Sequence, residues 1–179
     1  IPAGIIGILF NDLLDKYLYN YITVAITLIV YGVLFVAVEI INRKRRPKVT
    51  KLTEVSFKNA FFIGCFQALS LIPGTSRSGS TILGGIMLGN SRRVASEFTF
   101  FLAVPAMLGA SLIKIIKFGF GFTVTEFVIL SVGMITAFAV SLVVIRFLMN
   151  YIKNHTFTAF GIYRIVLGAI VLITYFATK

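Results

Sequence analysis

Residues 73–81 read Pro73, Gly74, Thr75, Ser76, Arg77, Ser78, Gly79, Ser80, Thr81, so that five hydroxyls and one guanidinium fall within nine positions. An arginine forks two hydrogen bonds onto phosphate oxygens and keeps its charge at any physiological pH. Gly74 and Gly79 allow the backbone to come close to an oxyanion. A helix beginning at this point would add unpaired N–H groups and the positive end of its dipole. These are the parts of a phosphate cradle. Arg77 and Ser76 are the candidate catalytic groups, and Gly74, Thr75, Ser78, Gly79, Ser80 and Thr81 the candidate substrate-binding positions. The competing reading is structural, with the hydroxyls capping and bracing a broken helix while Arg77 pairs with a buried carbonyl or acid.

The elements that must carry this segment follow from composition. Of the 179 residues 58% are hydrophobic and 13% charged, against roughly 25% charged in a soluble domain, and mean hydropathy is +0.98. The apolar runs reach the length of about 20 residues that a bilayer demands, and only helices or closed barrels satisfy their backbones there. Barrel strands would be about 10 residues with alternating polarity. The expectation is therefore an all-α, polytopic transmembrane bundle forming a single membrane domain. Its spans are placed at residues 21–41, 94–116, 126–149 and 157–177, with residues 1–10 as the end of a helix. The chain starts at Ile1 with no basic stretch before its first apolar run, which speaks against a signal peptide and leads us to expect sequence upstream.

Charge gives the orientation. Arg43, Lys44, Arg45, Arg46, Lys48, Lys51 and Lys58 lie between apolar segments and mark a cytoplasmic loop. An alternating path puts Arg92, Arg93, Arg146 and Lys153 on the same side, and Lys16, Lys114, Lys117 and Lys179 opposite. Residues 56–90 must then enter and return without crossing, as a re-entrant hairpin. Its arms, 59–72 and 80–90, are too short to span, and Pro73, Gly74 and Gly79 break the helix between them. Arg77 thus lies at membrane depth, where an arginine costs at least ~2.5 kcal/mol on insertion scales and needs a reason to remain.

Other residues are less pointed. Cys65 has no partner cysteine, so neither a disulfide nor a thiolate metal site is expected. A net charge of +11 belongs to cytoplasmic loops, and nucleic acid is not an expected partner. Glu97 is a possible supporting residue that orients Arg77, or else forms an ion pair with Arg92 or Arg93. Arg164 either reaches a phosphate or headgroup or snorkels to the cytoplasmic face. Glu39 is expected at the interface, Pro105 to kink its span, and Gly85 and Gly89 to allow close helix packing. His155 falls in a cytoplasmic loop, so no base is placed beside the serines and the nucleophile is left unassigned.

The run from Pro73 to Thr81, followed by Ser96-Glu97-Phe98 and Ala103-Val104-Pro105, resembles the second signature region of the undecaprenyl pyrophosphate phosphatase, or bacitracin-resistance, family. Gly64-Cys65-Phe66-Gln67 and Tyr163-Arg164 extend the likeness across essentially the whole chain. The resemblance implies two membrane-embedded hairpins in inverted halves, of which only the second is here, and hydrolysis of undecaprenyl pyrophosphate to the monophosphate carrier of cell-wall synthesis. It implies that Arg77 neutralises pyrophosphate charge and that Ser76, Ser78 and Thr81 donate to its oxygens. The first signature, rich in Glu and ending in a run with Ser-Ser and His, has no counterpart in this sequence. A general base and the ligands of any divalent cation, Mg²⁺ or Ca²⁺, would come from there; no metal ligand is assigned in this chain, which alone is expected to be inactive. Implied partners are the lipid substrate, membrane lipids, the N-terminal part of the same protein and a second copy in a homodimer, at the bacterial plasma membrane. The competing functions are a secondary transporter or flippase for an anion or phospholipid-like substrate, and a non-catalytic lipid-binding scaffold.

Overall fold

The computed structural model describes residues 1–119, 121 and 123–178, without the side chains of residues 11, 12, 15, 153 and 154. Lys179 and the Lys153 side chain of the charge pattern thus lie outside the described residues. The helices are α1 (Pro2–Leu18), α2 (Tyr21–Asn42), α3 (Phe57–Ala68), α4 (Arg77–Met87), α5 (Arg92–Phe118), α6 (Val124–Asn154) and α7 (Thr158–Ala177). Single 3-10 turns occur at Leu52–Glu54 and Leu69–Leu71. By length and apolarity α2, α5, α6 and α7 are able to cross a membrane. Each expected span falls on one of them. α1 is longer than expected, continuing past residue 10 to Leu18.

Local chemistry starts these helices. Asn20 caps α2 by accepting from the Thr23 amide at 2.8 Å, and Ser91 caps α5 through the Val94 amide at 3.2 Å. Thr123 and Glu126 form a reciprocal capping box at the start of α6. Pro105 is accommodated inside α5, which runs on to Phe118.

α2 and α7 pack backbone to backbone. A Cβ placed on Gly32 would meet the Gly161 carbonyl oxygen at 2.7 Å, and one on Gly168 would meet that of Ala25 at 2.8 Å. Small residues are what let helices approach in lipid, where dispersion replaces the hydrophobic drive. Gly85, expected in such a seam, packs on Ala95 of α5, whereas Gly89 serves a turn at φ +93°.

α3 and α4 form the hairpin. Its base is tied by paired hydrogen bonds between the side chains of Asn59 and Asn90, 2.9 and 3.2 Å long. Its far end sits on α2, where Thr27 Oγ1 donates to the Pro73 carbonyl at 2.7 Å. At the base, Arg92 Nε donates to both oxygens of Glu39, at 2.8 and 3.0 Å. From Glu39 to Thr27, twelve residues of α2 rise about 18 Å, well short of the ~30 Å hydrocarbon core. That depth is what a re-entrant path requires.

The same contacts give Glu39, near the end of its span, its partners. It is buried, and one carboxylate oxygen also accepts from the Phe157 amide at 3.1 Å, joining α2, α5 and the start of α7. An acid close to the end of a span is drawn in among the helices when a neighbouring helix delivers an arginine to it.

Candidate functional site

The break between the hairpin arms is shorter than its polar composition suggests. α4 begins at Arg77, so the loop proper is residues 72–76, and Ser80 and Thr81 belong to the helix. Gly74 has φ +87°, and a Cβ there would lie 2.2 Å from Thr27 Oγ1 and 2.7 Å from the Val24 carbonyl. Glycine is required by conformation and by space together.

Ser76 is the N-cap of α4, its Oγ accepting from the Gly79 amide at 3.2 Å. It does this at φ 69° and ψ 122°, a region that costs a non-glycine residue of order 1–3 kcal/mol and is met mostly where function demands it. Its Oγ is also 3.3 Å from Ser78 Oγ. The amides of Arg77 and Ser78, in the first turn of α4, donate to no backbone acceptor among the described residues. The open end of the helix therefore presents two N–H groups and two serine hydroxyls in the turn that Arg77 begins.

The other hydroxyls turn inward. Thr75, Ser80 and Thr81 are at most 1% exposed. Thr75 Oγ1 donates to the Ile72 carbonyl at 2.8 Å, and Ser80 Oγ to the Tyr31 hydroxyl at 3.1 Å. Thr81 Oγ1 accepts from Thr99 Oγ1 at 2.9 Å. These three residues, expected to bind substrate, instead satisfy buried polar groups and hold the loop in shape.

The two arginines also part company. Arg164 is 4% exposed and donates through Nη2 to the carbonyl oxygens of Gly74 and Thr75, the latter at 3.1 Å. Its guanidinium lies against the rings of Tyr31 and Phe160, 5.8 and 5.7 Å from their centroids. It therefore neither snorkels nor reaches out to a ligand. Arg77, by contrast, is partly exposed and has no ion pair or side-chain hydrogen bond among the described residues. Glu97 does not orient it; that carboxylate accepts from Arg93 Nε at 2.8 Å on its own helix.

Tyr31, Thr27 and Thr99 are supports that the sequence reading did not single out. Thr27 and Tyr31 are polar groups one turn apart in a largely apolar span, and that spacing was the available signal.

Ser78 and Gly79 edge a cavity of about 340 Å³ walled by Phe35, Ile82, Phe100 and Phe160. A polar turn thus adjoins an apolar chamber. His155, expected far from the loop, lies at this cavity's α6 end, its ring stacked on Tyr151 and its Nδ1 3.1 Å from the Tyr151 carbonyl. With that nitrogen committed to its own helix, His155→Ala is expected to lower activity of the full-length protein less than about threefold. A general base is worth 10²–10⁴-fold, so a hundredfold loss in a steady-state assay would make His155 one.

Among the described residues a divalent cation finds no ligand set. No three His, Cys, Asp or Glu side chains converge among the described residues, and Glu39 and Glu97 are committed to Arg92 and Arg93.

A family model described as "Bacitracin resistance protein BacA" matches residues 1–170. The chain is 56% identical over 179 residues to an undecaprenyl-diphosphatase of Acetivibrio thermocellus, covering 100% of this chain and 66% of that protein. It is 57% identical over 176 residues to undecaprenyl-diphosphatase 1 of Clostridioides difficile, covering 98% and 64%. To an undecaprenyl-diphosphatase of Enterococcus faecalis it is 57% identical over 173 residues, covering 97% and 63%. The chain therefore spans just under two thirds of the length of these relatives.

Proposed function

The chain belongs to the BacA bacitracin-resistance family, and from that premise we propose that it forms the second phosphate-binding half of a polyprenyl pyrophosphate phosphatase, a multi-pass enzyme of the bacterial plasma membrane. The reaction is hydrolysis of a phosphoanhydride: water and undecaprenyl pyrophosphate give undecaprenyl phosphate and inorganic phosphate. The observation that carries the reading is the division of labour between the two intramembrane arginines. Arg164 is occupied by loop carbonyls, and Arg77 is held beside two outward serines with no partner of its own among the described residues.

A pyrophosphate fits what remains open. Phosphoryl transfer is accelerated by positioning and by countering charge on the equatorial oxygens, and a guanidinium fork at the positive end of α4 serves both. Ser76 and Ser78 supply hydroxyl donors, and the free amides of Arg77 and Ser78 supply two more. The apolar chamber next to Ser78 suits the first isoprene units of a lipid tail. The base, the nucleophile and the ligands of Mg²⁺ or Ca²⁺ belong to the remainder of the protein. With a second copy in a homodimer, that remainder completes the set of proposed partners.

The test is release of inorganic phosphate from undecaprenyl pyrophosphate by the full-length protein in sealed vesicles. Turnover well above empty vesicles is the expected result. Movement of lipid or anion across the bilayer with no phosphate released would replace the phosphatase reading with a carrier.

A further inference from the structure

At the opposite end of the hairpin the basic loop is folded into a cleft. Lys48 and Val49 both donate their amides to the Gly89 carbonyl, at 2.8 and 3.2 Å, and Ser91 donates back to the Val49 carbonyl at 2.9 Å. These bonds lay the segment after α2 over the junction of α4 and α5. Together they enclose a cavity of about 510 Å³, lined by Arg43, Arg45, Arg46 and Lys48 on one wall and by Asn90 and Arg93 on the other. Its one acid, Glu39, is engaged by Arg92 and the Phe157 amide, while Arg93 is engaged by Glu97. Arg43, Arg45, Arg46 and Lys48 have no ion pair among the described residues.

A loop that merely sets topology needs charge but no shape. This one has a concave form, four uncompensated cations and an apolar edge. Ile40 and Ile41, which lead into the cleft, and Met87, which lines it, are 67%, 55% and 56% exposed. The cleft also lies where α2 reaches the end of its apolar run, the level at which lipid headgroups reside.

We propose that this cleft binds the phosphate headgroup of an anionic membrane phospholipid, with its acyl chains against Ile40, Ile41 and Met87. Basic pockets at the cytoplasmic ends of transmembrane helices suit such headgroups, and a lipid already held at the interface meets them at the right depth. The proposal rests on different residues from the phosphatase reading: neither Arg77 nor Ser76 lines this cleft, which shares only Ile152 with the apolar chamber.

The test compares two pairs of substitutions that remove the same charge. Full-length protein in neutral detergent is titrated with phosphatidylglycerol or phosphatidylcholine, and bound lipid is counted by native mass spectrometry. Phosphatidylglycerol is expected to be retained at least tenfold better, and R45Q/R46Q to lower that retention at least fivefold. R43Q/K48Q, on the same wall, is expected to act alike. K114Q/K117Q, at the other end of α5, is expected to stay within twofold of the parent. All three pairs lie on exposed side chains, and their unfolding midpoints are expected to match the parent. Unchanged retention in both cleft variants, or an equal loss in K114Q/K117Q, would overturn the proposal. Displacement of the lipid by millimolar inorganic phosphate would likewise overturn it, in favour of a site for free anions.

Discussion

Arg77→Ala in the full-length protein is expected to lower kcat for phosphate release from undecaprenyl pyrophosphate by roughly 10³-fold, about 4 kcal/mol of transition-state stabilisation. Thermal unfolding should hardly move. Arg77 makes no ion pair or side-chain hydrogen bond among the described residues, so its truncation removes little that holds the fold, and substitutions of that kind usually fall within about 0.5 kcal/mol. Arg77→Lys separates charge from geometry. A lysine restores a cation but not the planar fork, and an intermediate rate, well below the parent and well above alanine, is expected. Near-normal phosphate release from Arg77→Ala would remove Arg77 from catalysis. A loss of rate that tracked a lowered unfolding midpoint would return it to a structural role.

Much of this arrangement could be read from residue order, and the exceptions have definite causes. The four spanning helices were legible because their apolar runs exceed any core helix and stop at charge, as at Asn42–Pro47. The hairpin was legible because its arms are too short and Pro73 and Gly74 interrupt them. The inward turn of Thr75, Ser80 and Thr81 was not, because it depends on where α4 starts. A start at Arg77 in place of Ser80 changes which residues form the open turn, and puts Ser80 and Thr81 on faces packed against Tyr31 and Thr99.

Arg164 is the instructive case. Read alone, an arginine seven residues into a helix is free to snorkel. Read with Gly161 and Gly168, three before it and four after, it shares the face that packs on α2, since residues so spaced lie on one side of a helix. The glycines gave away the packed face, and an arginine on that face is directed into the bundle.

That placement leads to the second large effect. Arg164→Met keeps most of the side-chain volume but removes the donor to the Gly74 and Thr75 carbonyls. Two carbonyl acceptors, one buried and one partly buried, lose this partner, at about 1–3 kcal/mol for a buried one. Removal of a buried cation whose Nε has no partner works in the opposite direction. The two contributions are of similar size, so net stability is expected to change by less than about 2 kcal/mol. Activity has no such compensation. The strained Ser76 conformation and the aim of Arg77 depend on where those carbonyls are held, and a displacement of 1 Å at a reacting centre can cost 10²-fold. We therefore expect Arg164→Met to lower kcat roughly 10²-fold, and Arg164→Lys to recover part of the loss. Because Arg164 acts through the loop that presents Arg77, the double variant R77A/R164M should be about as slow as R77A alone. Losses that multiplied would mean that Arg164 meets the substrate by itself, and a fully active Arg164→Met would mean that the loop keeps its shape without it.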